Sequence, residues 1–147
     1  MAIQAPDFDR LRDQLRIRQA ALARLDEPVE RSLEALRETV RAAFDSEGAT
    51  AGAAWPPLAE RTRRDKARRG YPPQPLVRTG LLRDAWDVRM QGPGRGVLAS
   101  LAPYARAHEE GMGRLPQRRF LPTESETLAA AREALARHIA AALDLPA

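Results

Sequence analysis

The sequence has no cysteine among its 147 residues, so disulfide cross-links and thiolate metal sites are excluded. Aromatics are scarce at 5%, while hydrophobic residues reach 44%, much of it alanine. Alanine buries little area, and each large side chain contributes roughly 1.5–3 kcal/mol when buried. A core of this kind is thin, and with long helices it points to stability gained from neighbouring subunits. No run approaches the roughly 18 apolar residues of a membrane span, and no apolar stretch resembling a signal peptide follows the first residues. The expectation is a soluble protein made in the cytosol, with no membrane partner. Lysine is almost absent: Lys66 is the single one among 24 basic residues, a pattern that fits codon bias in a GC-rich genome.

Charge is unevenly spread. Residues 1–59 hold 8 basic and 10 acidic side chains (−2), residues 60–119 hold 14 and 6 (+8), and residues 120–147 hold 2 and 4 (−2). All excess positive charge lies in the middle, where Arg61, Arg63, Arg64, Lys66, Arg68 and Arg69 stand within nine positions. Such a run suits a solvated face, an acidic protein surface or phosphate contact.

The length fits one domain over 1–147, with 1–27 as a helical N-terminal arm. Asp7 or Asp9 can cap a first helix carrying Leu11, Leu15, Leu22 and Leu25. Pro28 interrupts it, and Asp26 with Glu30 suits a fresh N-terminus. Val29, Leu33, Leu36, Val40 and Phe44 then predict a second helix that ends at Ser46-Glu47-Gly48. Trp55-Pro56-Pro57-Leu58 reads as a rigid turn planting one aromatic, Glu60 to Arg69 as a short charged helix, and 70–75 as an extended connector. Thr79 can cap a turn holding Leu81, Leu82, Ala85 and Trp86.

Val88–Met90 and Val97–Leu101 predict a hairpin around a 91–96 loop, with Arg118–Leu121 as a third strand. Residues 103–110 predict a short helix ended by Gly111, and Thr123 with Glu126 a capping box for a last helix whose apolar face is Leu128, Leu135, Ile139 and Leu143. The fold class is α+β: a small antiparallel sheet packed against long N- and C-terminal helices.

Chemistry finds little support in these residues. His108-Glu109-Glu110-Gly111-Met112 puts methionine where a zinc-binding helix needs its second histidine, and His138 has no cysteine to complete a site. Glu109 and Glu110 diverge by about 100° on a helix, which suits pairing with nearby arginines better than flanking one substrate bond. No serine sits in a Gly-X-Ser-X-Gly elbow, and Gly92-Pro93-Gly94-Arg95-Gly96 lacks the ending of a phosphate-binding loop. The expectation is a non-enzyme with no cofactor or metal. No helix-turn-helix, zinc finger or aromatic-rich sheet accompanies the basic run, although non-specific DNA contact stays open.

Trp55-Pro56-Pro57-Leu58, Thr62, Lys66, Leu76, Thr79-Gly80-Leu81-Leu82, Tyr104-Ala105 with His108 and Gly111, and Pro116 with Arg118-Arg119-Phe120-Leu121 occur in an order that resembles the bacteriophage virion morphogenesis family. This is the tail-completion family of P2-like and Mu-like phages, and the resemblance covers roughly residues 30–143. It implies a structural virion protein forming a ring, six-fold in expectation, between a DNA-filled head and the tail, assembled in the host cytoplasm. Its implied partners are its own copies, other neck and tail proteins, and channel DNA touched non-specifically.

Carried over, Trp55 and Leu58 anchor the first loop, and Thr79, Gly80 and Leu81 shape the turn into the sheet. Tyr104, His108 and Gly111 fix the next segment, and Arg119, Phe120 and Leu121 lock the last strand to the final helix. The run at 61–69 is the candidate partner- or DNA-facing surface. A tail terminator capping the tube, and a small basic DNA-binding accessory protein, are the alternative readings.

Overall fold

The computed structural model describes the backbone of residues 5–143 and the side chains of residues 8–143. The elements are α1 (Ala5–Leu22), α2 (Asp26–Asp45), a 3-10 turn at Ala49–Ala51, α3 (Glu60–Arg68), α4 (Leu81–Asp84), β1 (Trp86–Gly92), β2 (Arg95–Ser100), α5 (Ala105–Glu110) and α6 (Glu124–Leu143). The fold is α+β, an antiparallel hairpin set against long N- and C-terminal helices.

The second helix is amphipathic as its spacing demands, burying Leu33, Leu36, Val40 and Phe44 on one face. These meet the rest of the core: Phe44 lies 5.2 Å from Trp55 edge-on and 5.4 Å from Phe120, and Phe120 lies 6.0 Å from Trp86. Four of the seven aromatics thus form one cluster, joined by Val40, Ala43, Leu82 and Ala102. Edge-on aromatic contacts add attraction beyond area burial, which matters where large side chains are few.

The hairpin pairs Trp86 with Ser100 and Val88 with Leu98, with an irregularity between Met90 and Gly92. The expected 91–96 loop shrinks to a two-residue turn at Pro93-Gly94, because the strands continue through the glycines. A lone hairpin is marginal in water, so α2 supports it. Gly96 makes that support possible: a β-carbon there would stand 3.2 Å from Val29 and 2.5 Å from Leu33. Asp26 starts α2 as expected, and its carboxylate also accepts a 2.7 Å hydrogen bond from the Gly94 amide at the hairpin tip. No side chain caps α2.

Four other expectations change. Helix α1 begins at Ala5, so Asp7 and Asp9 lie inside it; Asp9 pairs with Arg12, and the Asp7 side chain falls outside the described residues. Thr79 caps nothing; Gly80, at φ +85°, is the N-cap of α4, a conformation glycine adopts without steric cost. Residues 118–121 form no third strand, because their backbone groups bond to side chains and loops instead of a ladder.

The last correction concerns α6. Its capping box is present, with the Thr123 amide donating to Glu126 at 2.7 Å and the Glu126 amide to Thr123 Oγ1 at 3.3 Å. Its inward row, however, is Ala130, Ala134 and His138, spaced four apart, with His138 Nε2 3.0 Å from the Ala21 carbonyl of α1. Small side chains let α6 approach α2 closely. Leu128, Leu135 and Ile139 stay exposed beside that row, as do Phe8, Leu11, Leu15 and Ile17 on α1.

Phe120→Ala is expected to cost about 3–5 kcal/mol in urea denaturation, because it empties the centre of the aromatic cluster. Leu128→Ala is expected to stay within about 1 kcal/mol. Equal losses from the two would contradict this placement of the core.

Candidate functional site

Helix α3 is charged on almost every turn, yet its cations are not equivalent. Glu60 pairs with Arg63 and, at 2.7 Å, with Arg64. Asp65 pairs with Arg68 at 2.8 Å and Arg69 at 3.0 Å, and these contacts hold its carboxyl below the usual range, the Arg68 hydrogen bond most of all. All of these groups are well exposed, so their pairs organise the surface more than they stabilise the fold. Five outward arginines against Glu60 and Asp65 leave a net +3 on this face.

Lys66 does not belong to that face. It is 8% exposed, and its ammonium donates to the carbonyls of Gln74 and Val77, both at 2.6 Å. Burial lowers its pKa first, and repulsion from Arg78 adds to the effect. Position 66 faces the 70–80 segment, where Leu76 holds a left-handed φ of +59°. A non-glycine residue there is strained, and Lys66 fixes the carbonyls on either side of it. Arg78 stacks on Tyr71 at 4.7 Å and completes this corner.

The opposite wall comes from α5 and the segment after it. Tyr104 meets His108 edge-on at 6.1 Å, and Gly111 closes α5 in the left-handed backbone conformation at φ +71°. The His108 carbonyl accepts from the Arg118 amide at 2.9 Å, while His108 Nδ1 is buried without a partner. Burial and then the nearby Arg118 charge push the His108 pKa down. Glu110 pairs with Arg106 at 2.9 Å, as expected. Glu109 does not pair with an arginine; one of its oxygens accepts the amides of Phe120 at 2.8 Å and Leu121 at 3.2 Å.

Two further contacts close the site from below. The Trp55 indole N–H donates to the Arg119 carbonyl at 2.6 Å. The Arg118 guanidinium donates to the carbonyls of Pro56, at 2.8 and 3.1 Å, and Pro57, at 3.3 Å. Arg118 therefore carries the anchoring, whereas the Arg119 side chain is exposed and lends only its carbonyl. Alternation in an extended segment contained this signal: 118 and 120 share one face, and 119 and 121 the other.

Together these walls enclose a groove of about 1030 Å³. It gathers Leu58, Lys66, Thr79, Gly80, Leu81, Tyr104 and His108 from the residues singled out in the sequence. Trp55 and Phe120 lie in the core, while Gly111, Arg119 and Leu121 stand outside the lining. Of the α3 cations only Lys66 reaches it. Among the described residues no three histidine or carboxylate side chains converge as a metal site.

The geometry defines a small α+β protein whose buried polar side chains hold its own loops, leaving a basic helix, a groove and apolar helix faces outward. Residues 7–143 match the model of the phage virion morphogenesis family, and the chain belongs to that family. It is a bacteriophage morphogenesis protein, associated with the virion. No curated protein and no solved structure matches the chain significantly.

Two outcomes follow from this geometry. Glu109→Ala leaves two amides without their acceptor and is expected to cost about 1–3 kcal/mol in denaturant titration, against about 0.5 kcal/mol or less for the exposed Glu110→Ala. His108 is expected to titrate below the ordinary value of about 6.5 by proton NMR, assigned through His108→Gln. The unfolded chain then binds the proton more readily, so this histidine lowers stability as pH falls from about 6.5 toward its folded-state pKa. A His108 pKa at or above 6.5 would contradict its placement.

Proposed function

We propose that this chain is a tail-completion subunit, a head–tail connector that assembles as a ring joining the DNA-filled head to the tail. Family membership over nearly the whole chain carries the reading. Physical features support it. A closed ring of head-to-tail contacts needs two unlike faces on each subunit. Here the arginines of α3 offer a positive face, and the α1–α2 region carries the acidic excess.

The exposed apolar side chains of α1 and α6 offer surface for burial between copies. Ile17 is 69% exposed, and only the end of α1 leans on α6. The working partners in this reading are other copies, neighbouring neck and tail proteins, and DNA passing through the channel. The role is structural and not catalytic, and the position is the head–tail junction.

Native mass measurement of the purified chain, free and with tails, is expected to give a species near six times the 16.3 kDa subunit. A monomer under both conditions would remove the ring. Arg61→Glu, Arg64→Glu and Arg68→Glu combined are expected to leave the subunit folded by circular dichroism while heads and tails fail to join. Fully infectious particles from that variant would end the role assigned to α3.

A further inference from the structure

Lys66 and Arg118 are 8% and 5% exposed and line the same groove, yet neither forms an ion pair among the described residues. Buried charges are ordinarily paired, because carbonyl dipoles restore only part of the hydration a cation loses. Lys66 rests on the Gln74 and Val77 carbonyls, and Arg118 on those of Pro56 and Pro57. Among the described residues Arg78 and Arg114 line the same space without ion pairs. The lining holds four cations and a single carboxylate, Asp65, already held by Arg68 and Arg69. Cations around a concave, partly apolar space focus their field on anions.

The anion that fits is not a bare one. Leu81, Tyr104 and Leu115 are 44%, 43% and 41% exposed in this groove, so its surface is apolar as well as positive. Pro56, Pro57 and Pro116 supply no amide hydrogens, so these rims do not add a strand by backbone pairing. Recognition falls to side chains. A duplex phosphate backbone is suited to exposed cations such as the outward arginines of α3, whereas Lys66 and Arg118 lie below the surface beside leucines. A carboxylate on a flexible stem next to an apolar residue satisfies both parts of the site.

We propose that this groove docks a short extended segment of a partner protein in which carboxylates stand beside large apolar side chains. The existence of a partner rests on the assembly reading above; the groove is a contact surface distinct from the α3 face. The carboxylates meet Arg78 and Arg114 at the mouth and approach Lys66 and Arg118 within. The apolar side chains cover Leu81, Tyr104 and Leu115.

Selection of random dodecamer peptides on the immobilised full chain tests this, with enriched peptides synthesised carrying fluorescein and followed by polarisation. The expected peptides combine Asp or Glu with Leu, Phe or Trp. They bind at least tenfold more weakly to Arg78→Ala/Arg114→Ala and to Leu115→Asp, each checked for folding, and unchanged to Arg63→Ala/Arg64→Ala. Enrichment without acidic residues, or equal binding to the groove variants, would overturn the proposal. So would loss confined to the Arg63/Arg64 variant with displacement by a DNA duplex. Peptide binding to a chain that stays monomeric would leave the groove standing and remove the ring, and a ring without peptide binding would do the reverse.

Discussion

Across 62 residues of chain, the Arg118 guanidinium returns to the Pro56 and Pro57 carbonyls, while the Trp55 indole donates to the carbonyl of Arg119. Everything between, from α3 through the hairpin to α5, is the loop this clasp closes. Bringing the ends of such a loop together costs on the order of 4 kcal/mol in chain entropy, before any fixed term. Once the desolvation of the buried Arg118 charge is counted, hydrogen bonds alone return too little net energy to offset this. Phe120, next to the clasp, adds the aromatic contacts with Phe44 and Trp86 that do. Polar clasp and aromatic cluster are thus one unit, and α2 serves as the platform on which both close.

A sheet of two strands leaves many backbone groups of the connecting segments without ladder partners, and buried ones must find others. Charged side chains take that task. Glu109 accepts two amides, Lys66 donates to two carbonyls and Arg118 to two more. The same economy explains why the residues from 55 to 122 are so dense in anchors. They are polar, aromatic and closely ordered because they replace secondary structure. Residues used to hold loops then leave the outward face of α3 and the groove mouth unoccupied, and those are the surfaces free to meet another molecule.

Helical periodicity made α2, α3, α5 and the capping box of α6 legible in the sequence, since each is set by local spacing and turn chemistry. The burial of Trp55 was legible too, although residues 54–59 run as irregular chain and form no turn. What local pattern could not give was the tertiary destination of polar groups. Lys66 sits in a row of arginines and reads as one more surface cation until the 70–80 segment folds over it. Arg118–Leu121 alternates like a strand, but Glu109 and Trp55 use up its hydrogen bonds before a neighbouring strand can. In α6 the leucines read as the core face, whereas close approach to α2 selects the alanine row. Of the groove, the sequence offered most of the apolar members and no hint of Arg78 or Arg114.

That division bears on how the subunit meets its surroundings. The core cluster gathers the two tryptophans and two of the phenylalanines, and the large apolar residues of α1 and outer α6 take no part in it. If α6 existed only to stabilise the monomer, its leucines and isoleucine would turn toward α2, where alanines now stand. A helix that packs through alanine and displays leucine gives up burial within one chain, and the proposed assembly is what would bury that surface between copies. The basic groove follows the same logic in charge: cations are placed below the surface without counterions, so their best partner is an anion brought by another molecule. In the proposed assembly, both the apolar and the electrostatic surfaces of the chain are the ones that meet another molecule.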